Sequence, residues 1–266
     1  MVNTTPDTRS YDADLLERRI AVNQSAQSVD FNRWIFQGIR FPPESHILEL
    51  CCGTGTQTME FLQRLGGEGR YVGVDKSEKA LDAIRKKVHP EQDRHMTLLC
   101  SEMDLTVPAL EKAGLGDLKF DLIFCSYGLY YSSDVPRLLS EMEGLLGRGG
   151  CIAIVGPWGP NNETLFSLLG DAGVQIPEYV RFTSQKFMHE LVIPWGTLHF
   201  PCLSIRTMVN AIVWNSPDQV LDYWKSSTFF DPGRILAVTD RLREFFAGEP
   251  RFTNNKYVMM VVMKNE

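Results

Sequence analysis

Between residues 46 and 155, short apolar segments alternate with segments of helical periodicity, and this alternation constrains the fold more than any other feature. Five apolar segments are predicted strands, at 46–51, 70–75, 95–100, 120–126 and 149–155. Three predicted helices lie between them, near 56–65, 78–88 and 135–146. Strands that alternate with helices form right-handed βαβ units, and their parallel sheet is covered on both faces. The apolar character of the strands agrees with such burial.

The remaining segments flank or interrupt this alternation. Residues 1–44 are predicted to form an N-terminal helical cap, and residues 157–202, rich in proline, an insertion with a helix near 163–172 that forms a substrate cap. A strand near 203–214, helices near 217–226 and 233–247 and an apolar strand at 256–264 follow. We therefore assign residues 45–156 and 203–266 to the core, and favour one domain with a cap over two independent domains.

Composition excludes several classes of protein. The 266 residues carry a net charge of −6, which disfavours general electrostatic binding of a polyanion, so no nucleic acid partner is expected. The longest apolar run, residues 257–263, is far shorter than the roughly 20 residues that span a bilayer, and the N-terminus lacks an apolar signal core. The cysteines at 51, 100, 125 and 151 lie in short apolar runs, as buried thiols of a reducing compartment do. We expect a cytoplasmic protein without a membrane partner.

A glycine-rich turn follows the first predicted strand in ILELCCGTGTQT, residues 47–58. Gly53 and Gly55 lack a Cβ and allow a ligand to approach the backbone. Ligands of open α/β sheets bind just beyond the carboxyl ends of the strands. Asp75 ends the next strand, 22 residues after Gly53, where a carboxylate accepts hydrogen bonds from ribose hydroxyls. The pattern predicts a nucleoside-binding site.

Three segments together resemble the class I S-adenosylmethionine-dependent methyltransferases of the small-molecule type. They are LELCCGTG at 48–55, YVGVDKSEKALDAIRKK at 71–87 and DLIFCSYGLYYSSDVPRLLSEMEGLLGRGGCIAIV at 121–155. The resemblance implies a Rossmann-like α/β fold with seven mostly parallel strands, an antiparallel C-terminal strand and helices on both faces. It also implies S-adenosyl-L-methionine as the cofactor and transfer of its methyl group by in-line displacement to an oxygen, nitrogen or carbon of a small metabolite.

The resemblance also implies roles for individual residues in binding the cofactor. Glu49 organises the turn, Asp75 holds the ribose, and the stem of Lys76 lies along the adenine. Glu102 accepts a hydrogen bond from the adenine amino group, with Asp104 as the alternative if the register shifts. The remaining predicted cofactor-binding residues are Cys51, Gly53, Gly55, Met103, Ser126 and Tyr127. The family usually has glycine at the position of Cys51, and we expect the thiol to fit there with ordinary backbone dihedral angles.

The acceptor site is less well defined by the sequence. Tyr127 and His199 are the candidate catalytic residues, although a lone histidine in a loop is more often structural. The resemblance and the aromatic character of the caps suggest five residues that bind the acceptor: Tyr11, Tyr130, Tyr131, Trp158 and Trp195. Cys125 and Ser126 follow the fourth strand where metal-dependent relatives carry aspartates, so no metal is expected. The oligomeric state stays open, with a homodimer as one option.

Two other functions compete with methyl transfer. An NAD-linked oxidoreductase shares the strand–turn–helix arrangement, but its fingerprint needs a small third residue where this chain has Thr58. A catalytically silent protein that binds the cofactor and acts through a partner would carry the same turn. The sequence favours the methyltransferase over both.

Overall fold

The computed structural model describes Arg9 and residues 12–265, and it contains one seven-stranded sheet in the order β3-β2-β1-β4-β5-β7-β6. The strands are β1 (His46–Leu50), β2 (Arg70–Asp75), β3 (Met96–Cys100), β4 (Phe120–Ser126), β5 (Leu146–Pro157), β6 (Cys202–Trp214) and β7 (Phe252–Lys264). The sheet is mixed, with antiparallel pairing at its C-terminal strands. The predicted fold class is confirmed.

Twelve α-helices surround the strands in the described part of the chain. They are α1 (Ala13–Ala26), α2 (Phe31–Gly38), α3 (Thr58–Arg64), α4 (Glu78–Arg85), α5 (Pro90–Asp93), α6 (Thr106–Lys112), α7 (Val135–Leu145), α8 (Glu163–Asp171), α9 (Glu178–Gln185), α10 (Ile193–His199), α11 (Pro217–Ser226) and α12 (Ile235–Gly248). Several begin at a side chain that caps them: Ser77 for α4, Asp134 for α7 and Ser216 for α11 each accept a backbone N–H of the first turn.

The parallel pairing brings the carboxyl ends of the first strands together. β1 pairs in parallel with β2 on one side and with β4 on the other, and β2 pairs with β3. Asp75, at the end of β2, lies opposite Cys100, at the end of β3. The residues that follow these strands therefore share one edge of the sheet.

The contacts divide the chain into two compact units. One, called here the core unit, comprises Ile35–Gly156, Glu190–Arg206 and Met260–Glu266. Its interior is built around Phe61 of α3, whose ring lies 4.9 Å from that of Phe36 and 5.3 Å from that of Phe124. These edge-on contacts seal α2 and α3 onto one face of β4.

The second unit comprises Met1–Trp34, Pro157–His189 and Thr207–Met259. Its hydrophobic cluster is formed by side chains of α8, α11 and α12 and includes the fully buried Trp214 and Trp224. The segment after α1 lies along the end of β6: Gln27 bridges to Ile212, and the Asn210 side chain accepts the backbone N–H of Ser28 at 3.0 Å. Asn210 thereby provides a hydrogen-bond acceptor for the backbone of the segment between α1 and α2.

Three local expectations differ from the structure. The N-terminal region forms two helices, because Asp30 accepts the N–H of Arg33 and starts a new one. The proline-rich insertion holds two further helices, α9 and α10, since proline fits the first turn of a helix as Pro194 does in α10. Cys100 is exposed rather than buried, because β3 is an edge strand. All six cysteines are free thiols.

Candidate functional site

The turn between β1 and α3 uses three residues with positive φ. Gly53 has φ +54°, Gly55 has φ +88° and Cys51 has φ +55°. A Cβ on Gly55 would lie 2.7 Å from Cγ1 of Ile84, so α4 packs directly against the bare backbone. The expectation that Cys51 has ordinary dihedral angles is wrong, because the chain must reverse at this residue to present the following backbone at the sheet edge. A left-handed residue other than glycine costs about 1–3 kcal/mol.

Asp75 holds the turn in place through its carboxylate. Oδ2 accepts the backbone N–H of Gly53 at 2.7 Å, and Oδ1 accepts that of Ser77 at 2.9 Å. Burial raises the pKa of Asp75, while these backbone hydrogen bonds oppose the shift. A carboxylate offers about four acceptor positions, so both oxygens keep capacity for a further donor.

Glu49 lies beneath the turn with 1% of its surface exposed. Its Oε2 accepts hydrogen bonds from Tyr71 Oη at 2.5 Å and from Thr58 Oγ1 at 2.9 Å. Burial raises the pKa of Glu49 from 4.5 to about 7, although the two hydroxyls lower it. The carboxyl group ties β1 to β2 and to the start of α3, which agrees with its predicted role in organising the turn.

Lys76 and Glu102 face each other across the ends of β2 and β3. Lys76 Nζ lies 2.8 Å from Glu102 Oε1. The neighbouring Met103 is buried, and its sulfur lies 3.8 Å from Cys51 Sγ. The structure thus brings two predicted adenine-binding residues into contact with each other, and a third into contact with the turn.

Asp104, the alternative acid after β3, is hydrogen-bonded to the loop after β4. It accepts hydrogen bonds from Ser132 Oγ at 2.5 Å, Ser133 N at 2.8 Å and Ser133 Oγ at 2.6 Å. Burial alone would raise the pKa of Asp104, but these serine donors outweigh it and hold the pKa below its usual range. Asp104 therefore joins the loop after β3 to the loop after β4, whereas Glu102 contacts Lys76.

The loop after β4 begins with Ser126 and Tyr127. Tyr127 has φ +54°, a second strained position, and its N–H donates to the carbonyl of Val155 in β5 at 2.8 Å. Gly128 follows: a Cβ there would lie 2.4 Å from Cβ of Cys51. A hydrogen bond with the Cys125 thiol, together with burial, raises the pKa of Cys51. The end of β4 therefore packs closely against the turn after β1.

His199 lies at the other end of the sheet. Its Nδ1 is 3.1 Å from Oε2 of Glu143, near the C-terminus of α7, and its ring stacks at 4.0 Å on Trp195. Because α7 returns from the end of β4 to the start of β5, Glu143 lies near the amino ends of the strands. The length of β4, about 20 Å, separates that region from Ser126. The structure does not bring His199 or Trp195 to the candidate site.

The other predicted acceptor residues are distributed over both units. The rings of Tyr130 and Tyr131 contact each other edge-on at 4.7 Å in the loop after β4. Trp158 belongs to the second unit, where it lies edge-on to Tyr257 and its buried Nε1 has no hydrogen-bond partner. Tyr11 lies outside the described residues. Within Arg9 and residues 12–265, no cluster of three or more His, Cys, Asp or Glu side chains could hold a metal ion.

Sequence reasoning missed several residues that shape the site. Tyr71 and Thr58 hold Glu49, and Lys87 Nζ donates to the Thr54 carbonyl within the turn at 2.9 Å. A polar hydroxyl in the apolar strand RYVGVD was the available signal for Tyr71. No pattern in the sequence points to Lys87, which reaches the turn only because α4 folds back over it.

Comparison with known proteins agrees with this geometry. A family model described as a methyltransferase domain matches residues 47–150. Over this stretch the chain is similar to S-adenosylmethionine-dependent methyltransferases of class I. A demethylmenaquinone methyltransferase of Symbiobacterium thermophilum is 30% identical over 141 residues, 51% of this chain and 53% of the relative. Another, of Lactobacillus johnsonii, is 25% identical over 59% of this chain and 68% of the relative. The chain thus spans about half the length of the first of these curated relatives.

Solved structures share the fold of this chain. The YcgJ protein of Bacillus subtilis has a TM-score of 0.58 and 12% identity over 88% of this chain and 97% of that chain. BH2331 of Bacillus halodurans, described as a candidate methyltransferase, has a TM-score of 0.60 and 11% identity over 88% and 98%. Among the described residues, no helix combines the length and apolar character needed to cross a membrane.

Proposed function

We propose that this chain transfers a methyl group from S-adenosyl-L-methionine to an oxygen, nitrogen or carbon atom of a small-molecule acceptor. The observation that carries the proposal is the Asp75 carboxylate, held 2.7 Å from the Gly53 amide at the end of β2. A carboxylate fixed beside a glycine-rich turn combines an acceptor for ribose hydroxyls with space for the ligand above the backbone of the glycines.

The residues present fit an adenosyl ligand. Asp75 keeps acceptor capacity after its backbone hydrogen bonds, and Glu102 remains half exposed beyond β3. Gly53 and Gly55 leave the backbone of the turn bare at two positions, and Met103 supplies an apolar surface and a backbone beside the base. The cofactor supplies an activated methyl group and its own leaving group, so the protein's task is to align an acceptor atom and exclude water.

Ser126 and Tyr127 are the residues we place at the methyl-transfer centre. The strained φ of Tyr127 and its bond to Val155 hold the residue where β4 ends, beside the Cys51 turn. Backbone strain of this kind is often retained at functional sites. Tyr127, Tyr130 and Tyr131 follow β4, and in this proposal they offer aromatic surface and hydroxyl groups to the acceptor. In this proposal Tyr127 positions the acceptor or removes its proton, and His199 takes no part.

An apolar ring is the acceptor class that we favour. The relatives named above are demethylmenaquinone methyltransferases. This suggests that the methylated atom is a ring carbon or a hydroxyl oxygen of a quinone-like acceptor. The tyrosines after β4 support this suggestion, since aromatic faces stack on a planar ring. The similarity covers only part of those relatives.

Calorimetric titration with S-adenosylmethionine and S-adenosylhomocysteine tests the proposal. We expect both to bind the wild-type protein, and Asp75→Asn to bind at least about tenfold more weakly, because charge-assisted hydrogen bonds contribute about 1.5–3 kcal/mol. Asp117→Asn, in an exposed loop, is the matched control. Absence of heat from both ligands with the wild type would refute cofactor binding.

Turnover needs a second experiment. The protein is incubated with methyl-labelled cofactor and a fractionated cell extract, and labelled products are identified by mass spectrometry. A labelled small molecule that disappears with Tyr127→Phe or Asp75→Asn supports the proposal. Binding of the cofactor without any labelled product would favour the catalytically silent alternative.

A further inference from the structure

An ion pair bridges the ends of β2 and β3, and backbone hydrogen bonds hold the two strands beside it. Asp75 and Cys100 are paired across the strands, and Ser101 N donates to the Asp75 carbonyl at 3.0 Å. The Cys100 thiol also contacts the Lys76 carbonyl at 3.6 Å. Lys76 and Glu102 therefore start from rigid positions, and their side chains meet at 2.8 Å.

This ion pair adds little to the stability of the fold. The Lys76 and Glu102 side chains are 44% and 57% exposed, and exposed pairs typically contribute little. The Glu102 side chain makes no capping hydrogen bond to the 3₁₀ turn Met103–Leu105 that follows it. The contact with Lys76 is thus the interaction that restricts the rotamers of this carboxylate.

We propose that Lys76 is a positioning residue that orients Glu102 to recognise the 6-amino group of the adenine base. This inference rests on the proposed function. Lys76 Nζ engages Oε1, which leaves Oε2 to accept a hydrogen bond from an exocyclic N–H. A base with a 6-oxo group instead presents an acceptor to that carboxylate, and the two like acceptors repel. The four methylenes of Lys76 cover part of the base while the ammonium stays at the carboxylate.

The size of the effect follows from the freedom that Glu102 would regain. Ordering one rotamer-rich side chain on binding weakens affinity by about twofold to tenfold. Removing the ammonium while keeping the stem, as in Lys76→Met, should therefore weaken binding of S-adenosylhomocysteine by about threefold to tenfold. Lys76→Arg keeps the charge and a donor within reach of Glu102, and should restore affinity to within about twofold of the wild type.

The experiment measures dissociation constants by calorimetry for S-adenosylhomocysteine and for its 6-oxo analogue, S-inosylhomocysteine. Neither ligand carries the sulfonium charge, so changes report on the base end of the site. The proteins are wild type, Lys76→Met, Lys76→Arg, Glu102→Gln and the Lys76→Met/Glu102→Gln double variant. Arg18→Met, which removes an exposed ion pair with Asp222 at 2.7 Å, is the matched control.

We expect the wild type and Arg18→Met to prefer the 6-amino ligand, Lys76→Met to lose part of that preference, and Glu102→Gln to lose most of it. The double variant should bind no more weakly than Glu102→Gln, because Lys76 acts through Glu102. Additive losses, unchanged binding by Lys76→Met, or equal binding of the two ligands by the wild type would each overturn the inference. Failure of the wild type to bind S-adenosylhomocysteine at all would instead overturn the proposed function, and the inference with it.

Discussion

The buried carboxyl group of Glu49 should make the stability of this protein depend on pH in an unusual direction. Glu49 is 1% exposed and its pKa is raised from 4.5 to about 7 by burial. Between these two values the folded protein holds a proton that the unfolded chain releases. The free energy of unfolding therefore falls as the pH rises through this window, and the loss is complete above the folded pKa.

The magnitude follows from the two pKa values. Between pH 5 and pH 8.5, a carboxyl group with these values lowers the free energy of unfolding by about 2.5 kcal/mol. Glu49→Gln removes the titration and leaves an amide that still bonds to Tyr71 and Thr58. Relative to wild type, this variant should gain about 2.5 kcal/mol between pH 5 and pH 8.5, or about 5–10 °C in melting temperature for a chain of this size.

Urea unfolding, monitored by tryptophan fluorescence at several pH values without cofactor, measures this difference. Glu91→Gln, on the exposed face of α5, is the matched control and should parallel wild type. Tyr71→Phe removes a hydroxyl that lowers the pKa of Glu49, so its profile should be steeper than that of wild type. A Glu49→Gln profile parallel to wild type, or one that diverges in the opposite direction, would refute the assignment of a proton to Glu49.

Three further predictions concern the loops around the turn. Asp104→Asn should lower the free energy of unfolding by about 1–3 kcal/mol, because an amide cannot accept all the donors of Ser132 and Ser133; thermal unfolding matched to that of wild type would contradict this. Cys51→Gly should stabilise the protein by about 0.5–1 kcal/mol by relieving its left-handed conformation, whereas Cys51→Val should destabilise it; equal losses in both would exclude strain at this residue. Gly128→Ala should destabilise the turn because its Cβ overlaps Cys51, and adding Cys51→Gly should recover most of the loss; an unrescued double variant would count against the contact.

Sequence periodicity alone located most of the core. The predicted strands at 70–75 and 120–126 and the helix at 217–226 have the same bounds in the structure. Apolar strands that alternate with amphipathic helices indicate a parallel sheet covered by the helices. The position of Asp75 at a strand end followed from the same pattern, because the apolar run RYVGV ends at this residue.

The partners of the charged residues could not be obtained in this way. Asp104 and Glu102 are two residues apart in sequence and chemically similar, yet the first is bound by the serines after β4 and the second by Lys76. The sequence made His199 a candidate base. In the structure α10 lies beside α7, at the amino ends of the strands. The partner of each of these side chains depends on which loop or helix the fold places beside it.

The sequence by itself determined the seven strands, the glycine turn and the acid that ends the second strand, since local periodicity and backbone freedom specify these features. Only the tertiary structure decided that Cys51 adopts a left-handed conformation, that Glu49 is buried with Tyr71 and Thr58, and that Lys76 meets Glu102. These contacts join residues separated by 9 to 26 positions, and their energies depend on burial and distance, which no local pattern encodes.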